Sequence, residues 1–351
     1  MEQIIMPTDT SKHHVSVRFQ LFLMLLSMII LIFGAYRSSQ SFDALDLKPE
    51  VLSISPADIK RFGGQPSNIK VGFVINDFSR FDIVKGEFEL KGIIWFEFDP
   101  SVVSLAILEQ FSFERAISIE RSQPHAKIID NKTIFVWYSI KVHIIQPLQY
   151  SGFPLDDHTL YFILNNNALN TNEVQFVAEP ENFLIDIDMS MLGWDMVGKA
   201  TVDGYIRTSL GSSDEYKVIE RPVALFSVDF LHSSMRQSLS ILLPLLLIFF
   251  LSLGAFSIDY VEYPESVLSL PIGGVTALLA YQFVIQSISP NVGYFMLSDI
   301  IFFVILAAIF CTFFFSIFVS EISVFFKKIF IVSMHAIVDS ILLYLFLIWG
   351  V

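Results

Sequence analysis

From Asn68 to Phe230 the chain is a series of short runs rich in Val, Ile, Phe, Tyr and Trp, cut by Gly, Asn, Asp and Pro. In FELKGIIWFEF (88–98) and TIFVWYSIKVHI (133–144) apolar and polar residues alternate in part, the period of a sheet with one face packed and the other wet. Strand-length runs at this spacing, with turn signals between them, predict a β-sandwich. Helical periodicity in this part is confined to a short stretch over Pro56 to Phe62. The pattern then changes to four unbroken apolar runs, Ser238 to Ser257, Ser266 to Ile288, Phe295 to Ser320 and Ile329 to Gly350. Each supplies the ~20 residues that cross a hydrocarbon core. A further run, Phe19 to Tyr36, follows Lys12, His13, His14 and Arg18 and precedes the small residues Ser39 and Ser41. Residues 1–41 are therefore read either as a signal peptide or as an N-terminal anchor, and both readings send residues 42–236 across the membrane ahead of a transmembrane part at 237–351.

Composition supports the division. Of 351 residues 54% are hydrophobic, more than the roughly half expected of a soluble domain, so part of the chain belongs in lipid. The net charge of −13 excludes a nucleic-acid partner and suits an acidic outer part that concentrates cations. Lys327 and Lys328 are the basic cluster among the linkers of the last third and mark the cytoplasmic side, which leaves residues 37–236 and the C-terminus outside. The single cysteine, Cys311, lies in an apolar run and can form neither an intrachain disulfide nor a cysteine metal site. His125, His143 and His158 are isolated, no GxSxG or HExxH occurs, and Asp186 and Asp188 sit on a turn. The chain is accordingly read as no enzyme, with no cofactor and no metal. LNNNALNTNE (164–173) is read as a loop whose side-chain amides satisfy its own backbone.

Four stretches in order carry a resemblance. GFPLDDHTLYF (152–162) is similar to a signature loop of Phe-Pro-aliphatic-Asp, here Phe153, Pro154, Leu155 and Asp156. IIWFEF (93–98) is similar to a second strand. MRQSLSILLP places Arg236 before a span and Pro244 within it. The segment from Glu265 to Pro290 has an acid at one end and the loop SISPNVGY at the other. Together they resemble the pentameric ligand-gated ion channels, the Cys-loop receptor superfamily. Gln146 and Leu160 stand where that family's loop cysteines would be, so the likeness is to the cysteine-free bacterial type. The resemblance implies an extracellular or periplasmic all-β sandwich followed by a four-helix transmembrane bundle, assembled as a homopentamer around a central pore in a plasma (bacterial inner) membrane. It implies gating by a small molecule of unknown identity, or by protons, acting on the outer domain. It further implies coupling through Asp82, Phe153, Pro154, Pro290 and an Asp156–Arg236 pair. A ligand site would use Phe98, Tyr216 of GSSDEY and residues 165–172.

The residues themselves add a candidate pore. At 3.6 residues per turn Glu265, Ser269, Gly273, Thr276, Ala280, Phe283 and Ser287 share one small, polar stripe of the second span. Such a stripe faces either water in a lumen or a tightly packed helix. Repeated around an axis, Glu265 would form a carboxylate ring that favours permeant cations, deepened by Asp259 and Glu262 with no basic residue nearby in sequence. Pro271, Gly273 and Gly274 predict a kinked or locally unwound helix, and Phe283 the constriction. These last features also admit a non-conducting receptor of the same fold. A third reading is a membrane-anchored β-sandwich that binds an envelope component. Finally, His335 and Asp339 lie one turn apart in the last span, an intramembrane titratable pair held by each other or by a hydroxyl such as Thr312 or Ser252.

Overall fold

The structure, a computed structural model, describes residues 14–130, 132–186, 191, 193–211, 218–233 and 235–349. Its elements run α1 (Val17–Ser38), α2 (Pro56–Phe62), β1 (Ser67–Asp82), β2 (Glu87–Phe98), α3 (Leu105–Leu108), β3 (Phe111–Phe113), β4 (Ala116–Arg121), β5 (His125–Asp130), β6 (Thr133–Ile145), β7 (His158–Asn166), β8 (Val174–Val177), β9 (Phe183–Ile185), β10 (Trp194–Ser209), β11 (Val218–His232), α4 (Met235–Leu253), α5 (Pro264–Ile288), α6 (Leu297–Ile317) and α7 (Val324–Trp349). The described residues fall into two compact units. One holds Ala44–Gln149 and Asp157–Leu231. The other holds the chain up to Asp43, the segment Tyr150–Asp156, and everything from His232 onward.

The first unit is built of two sheets. The larger has the order β4-β6-β2-β1-β8, with β5 added on β6 and β9 on β1, and the smaller has the order β10-β11-β7-β3. Alternation does the work that the pattern predicts: Phe88, Leu90, Ile94, Phe96 and Phe98 of β2 are buried, while Glu87, Glu89, Lys91 and Glu97 face out. Phe73 of β1 joins the sheets, with ring centroids 6.0 Å from Phe162 of β7 and 5.3 Å from Phe226 of β11. The helix expected over Pro56 to Phe62 is α2, started by a Ser55–Asp58 capping box and ended by Gly63 at φ 81°.

The second unit is helical. Among the described residues five helices are long and apolar enough to cross a membrane, the make-up of a multi-pass membrane protein: α1, α4 with the short helical turn that continues it to Ser257, α5, α6 and α7. This corrects the expected architecture of an all-β sandwich followed by a four-helix bundle. A helix stands before the sheets, the sheets are mixed, with β8 and β9 parallel to β1, and four helices follow. α1 lies along α7 and touches α4, so the helical unit draws on both ends of the chain. The physical reason is legible in α1 itself, where Gln20, Ser27 and Gly34 recur every seven residues and give a lipid-length helix one polar and small face. At Gly34 a side chain would stand 2.5 Å from the Leu343 Cδ2 of α7, so glycine permits the close approach. The expectation of a pentamer around a central pore falls with the architecture that implied it, since the fold of one chain specifies neither five copies nor an axis.

Candidate functional site

α5 begins with Pro264 in its first turn and Glu265 beside it, where an acid meets the positive end of the helix. It runs unbroken to Ile288 and does not unwind at Pro271. Pro271 belongs to the packed face, together with Val267, Gly274, Leu278 and Ile285, and neighbouring protein tolerates the missing donor there. Gly274 admits α4: a Cβ at that position would lie 2.1 Å from Ser252 Oγ, whereas one on Gly273 would meet nothing within 4 Å. All seven residues of the expected stripe, Glu265, Ser269, Gly273, Thr276, Ala280, Phe283 and Ser287, are exposed on the side turned away from the chain's own helices. Phe283 is 73% exposed. The hydroxyls on this face bond their own helix, Ser269 to Ser266 O, Thr276 to Ile272 O and Ser287 to Val284 O.

The approach to Glu265 is less purely acidic than the sequence suggests. His14 Nδ1 stands 4.0 Å from Asp259, the Lys327 ammonium lies 4.9 Å from the ring centre of Tyr260, and Lys328 lies 6.0 Å from that of Phe19. Val15 N–H donates to Phe256 O at 2.9 Å. Folding thus brings to Asp259 and its neighbour Tyr260 basic residues that lie far from them along the chain. Glu262 accepts from the Tyr263 hydroxyl.

The stretch 150–156 is part of the helical unit although strands of the other unit flank it in the chain. Its main chain serves the helix ends. The first turn of α6 has free N–H groups, and the loop's carbonyls accept from two of them, Leu297 N to Ser151 O at 2.8 Å and Ser298 N to Phe153 O at 3.0 Å. Pro154 O accepts from Ser238 Oγ at 3.0 Å and lies 3.1 Å from His232 Nδ1, at the base of α4. Tyr150 N–H donates to the Tyr294 hydroxyl at 2.9 Å. Phe153, Leu155 and Asp156 are buried, as is Pro154, whose peptide bond is cis, and Pro290 is buried in the α5–α6 connection. Arg236, the expected partner of Asp156, is exposed in the first turn of α4. No sequence motif marks the anchors His232, Ser238 and Tyr294, because they act on main-chain atoms.

Within the β unit, two positions that the resemblance singles out are brought together. The Gln146 side chain donates to Thr159 O at 2.9 Å and accepts from Tyr161 N at 2.8 Å, bonding the main chain on both sides of Leu160. Asp46, absent from the sequence reading, is 9% exposed and accepts from Gln149 N and Thr159 N, with His158 Nδ1 at 3.1 Å. Asp82 caps its own turn, taking Lys85 N at 3.1 Å and its ammonium at 3.5 Å.

For the expected ligand wall, Phe98 is 2% exposed in the sheet core. Tyr216 and Asp188 lie outside the described residues. Of the expected loop 164–173, residues up to Asn166 belong to β7; the Asn166 amide accepts from Ala168 N within the segment, as expected, but donates outside it, to Ile107 O and Leu108 O of α3. Asn170, Thr171 and Asn172 line a cleft of ≈ 270 Å³ with Arg61, Phe62, Val218 and Glu220. There Arg61 bridges Glu220 at 2.8 Å and Asp58 at 2.9 Å, and hydrogen bonds from Ser55 hold the Asp58 carboxyl below its usual range.

In the last span His335 and Asp339 do find a hydroxyl, but it is neither Thr312 nor Ser252, which bond their own helices. Ser27 of α1 lies 2.7 Å from His335 Nδ1 and 2.6 Å from Asp339 Oδ2. Among the described residues no group of three or more His, Cys, Asp or Glu side chains could hold a metal ion. No protein-family model matches the chain, and no curated protein matches it.

Proposed function

We propose that the chain is a membrane receptor that assembles from several copies into a ligand-gated cation channel, with α5 lining the conduit and the β unit outside. The observation that carries this reading is the orientation of α5: Val267, Pro271, Gly274, Leu278 and Ile285 are buried within the chain, while Glu265 and the small polar stripe, flanked by the exposed Ile272, Leu279 and Val284, are left free of the chain's own helices. A carboxylate on the unpacked face of a span is poorly matched to lipid and well matched to water shared between copies. The loop 150–156 supports coupling, since it is chain from between two strands bonded to the ends of α4 and α6. Arg18, Lys327 and Lys328 lie toward the same end of the helical unit, which this reading makes cytoplasmic. The test is a planar bilayer holding the purified full chain under a salt gradient. Currents whose reversal tracks the cation, and Glu265→Gln reducing cation over chloride permeability, are expected. Reversal at the chloride potential overturns cation selectivity, and Glu265→Gln without effect overturns the assignment of α5.

A second reading, a non-conducting receptor, is favoured by the hydroxyls of Ser269, Thr276 and Ser287 being spent on their own helix and by the exposure of Phe283. Assembly without current under any ligand or pH would select it.

A further inference from the structure

We propose that Ser27, His335 and Asp339 form an intramembrane site that takes up one proton, which enters at His335 and leaves a hydrogen on Asp339. The site does not rest on the channel reading, because it is built where α1 meets α7. Ser27 has one hydroxyl hydrogen and two near neighbours, Asp339 Oδ2 at 2.6 Å and His335 Nδ1 at 2.7 Å. With Asp339 a carboxylate, which only accepts, that hydrogen goes to Oδ2, and Ser27 Oγ in turn accepts from Nδ1–H. The tautomer is thereby fixed and His335 Nε2 is left bare. Asp339 Oδ1 is buried and has no hydrogen-bond partner among the described residues, and the donor to Oδ2 is Ser27.

The imidazole is placed to receive. His335 is 5% exposed, stacked on Phe250 with centroids 5.3 Å apart and 17° between planes, and edge-on to Phe249 at 5.9 Å. It lines a cavity of ≈ 330 Å³ between α1, α4 and α7, together with Gln20, Met24, Leu253 and Ser257. Its lining is otherwise apolar apart from Gln20 and Ser257, and in the proposed uptake the proton reaches the ring from this side.

Uptake is a relay of three transfers. An N–H bond forms at Nε2 with the incoming proton. The Nδ1–H bond breaks as its hydrogen passes to Ser27 Oγ, and the original Ser27 O–H bond breaks as that hydrogen passes to Asp339 Oδ2. The imidazole ends neutral with its hydrogen on Nε2, the hydroxyl is restored, and the carboxylate has become a carboxylic acid that donates to Ser27. One proton has been bound and one negative charge removed from the helix unit, with both hydrogen bonds kept and reversed in direction. A charge at this depth is costly in lipid, so the site gives the α1–α7 contact two charge states from one geometry.

The surroundings leave these groups to set the behaviour. α4 faces the ring with Phe249 and Phe250 and carries its own charge, Arg236, in its first turn. α1 contributes Ser27, with Arg18 near its start and Tyr36 and Arg37 near its end. α6 carries Asp299 in its first turn and an exposed Cys311, and α7 carries Lys327 and Lys328 about two turns before His335 and Tyr344 after Asp339.

The experiment is infrared difference spectroscopy between alkaline and acid pH on the full chain in phosphatidylcholine vesicles. Wild type should gain a carboxylic C=O band that is missing from Asp339→Asn. In Ser27→Ala, which keeps every carboxylate, that band should move to higher frequency, because its hydrogen bond is lost. His335→Gln should keep the band and slow its appearance after a pH jump. Spectra of wild type and Ser27→Ala that superimpose overturn the site whether or not Asp339→Asn folds. A band unchanged in Asp339→Asn overturns it as well, and a rate unchanged in His335→Gln overturns His335 as the point of entry.

Discussion

α1 and α5 are equally uncovered, each with 17% of its most apolar window buried within the chain, yet their polar faces point in opposite directions. α1 turns Ser27, Gly34 and the buried Leu31, Ala35 and Ser38 toward protein, and its hydroxyl bridges two side chains of α7. α5 turns its hydroxyls and Glu265 away, and each of those hydroxyls bonds the turn before it. The lesson is that the share of a span covered by protein does not say what the span is for. In lipid a polar side chain is informative through its partner: Ser27 of α1 reaches another span, whereas on α5 the hydroxyl of Tyr281, outside the stripe, reaches Ser240 O of α4 at 2.6 Å and those of the stripe bond their own helix.

That difference can be broken most forcefully at two adjacent glycines. Gly274→Leu forces a side chain into the space of Ser252 and should cost about 1–3 kcal/mol by overpacking, seen as a lower unfolding temperature in detergent. Gly273→Leu points into open space in the single chain and should leave that temperature unchanged, while reducing oligomer mass or current if the stripe faces other copies. Equal loss of stability from both substitutions would erase the distinction between the faces of α5. On α1 the matching change is Gly34→Leu, which presses on Leu343 of α7 and should cost a comparable amount.

Next in size is Ser27→Ala. It removes one donor to Asp339 and one acceptor for His335, and interhelical bonds of this kind average ~0.6 and reach ~1.7 kcal/mol, so a loss of about 1–2 kcal/mol is expected. Unfolding in a denaturing detergent titration measures it. Stability unchanged in Ser27→Ala would mean that α1 is held by packing alone.

How much of this was legible follows the same division. Strands, spans and the stripe on α5 could be read because period-2 and period-3.6 patterns report faces. The capping box of α2 was local, with Ser55 and Asp58 three residues apart. The length of the apolar run does not show the place of α1; the signal for it is Gln20, Ser27 and Gly34 at a spacing of seven. Ser27 and His335 are 308 residues apart in the chain, and no local signal pairs them. The anchoring of the loop 150–156 was legible in part. Its apolar tip, Phe153 to Leu155, announces burial, but the acceptors are carbonyls of Ser151, Phe153 and Pro154, which every sequence has. Removing one such bond by Ser238→Ala leaves Pro154 O with His232, so about 1 kcal/mol is expected in the same detergent titration, with the loop kept in place.

Among the hydroxyl substitutions, the one with the smallest stability effect is the sharpest test of the contrast. Thr276→Ala removes a hydroxyl that bonds Ile272 O within its own helix and touches no other element by hydrogen bond. Mid-helix back-bonding of this kind contributes little or slightly opposes the helix, so the change in unfolding free energy should stay within about 0.5 kcal/mol. Against Ser27→Ala, the ratio of the two effects measures how differently the same chemical group is used on the two spans. If Thr276→Ala destabilises the single chain as strongly as Ser27→Ala, the outward face of α5 is packed and the contrast fails. If it spares stability but changes unitary conductance, the hydroxyl meets permeating water, and the face that the chain leaves uncovered is the face that conducts.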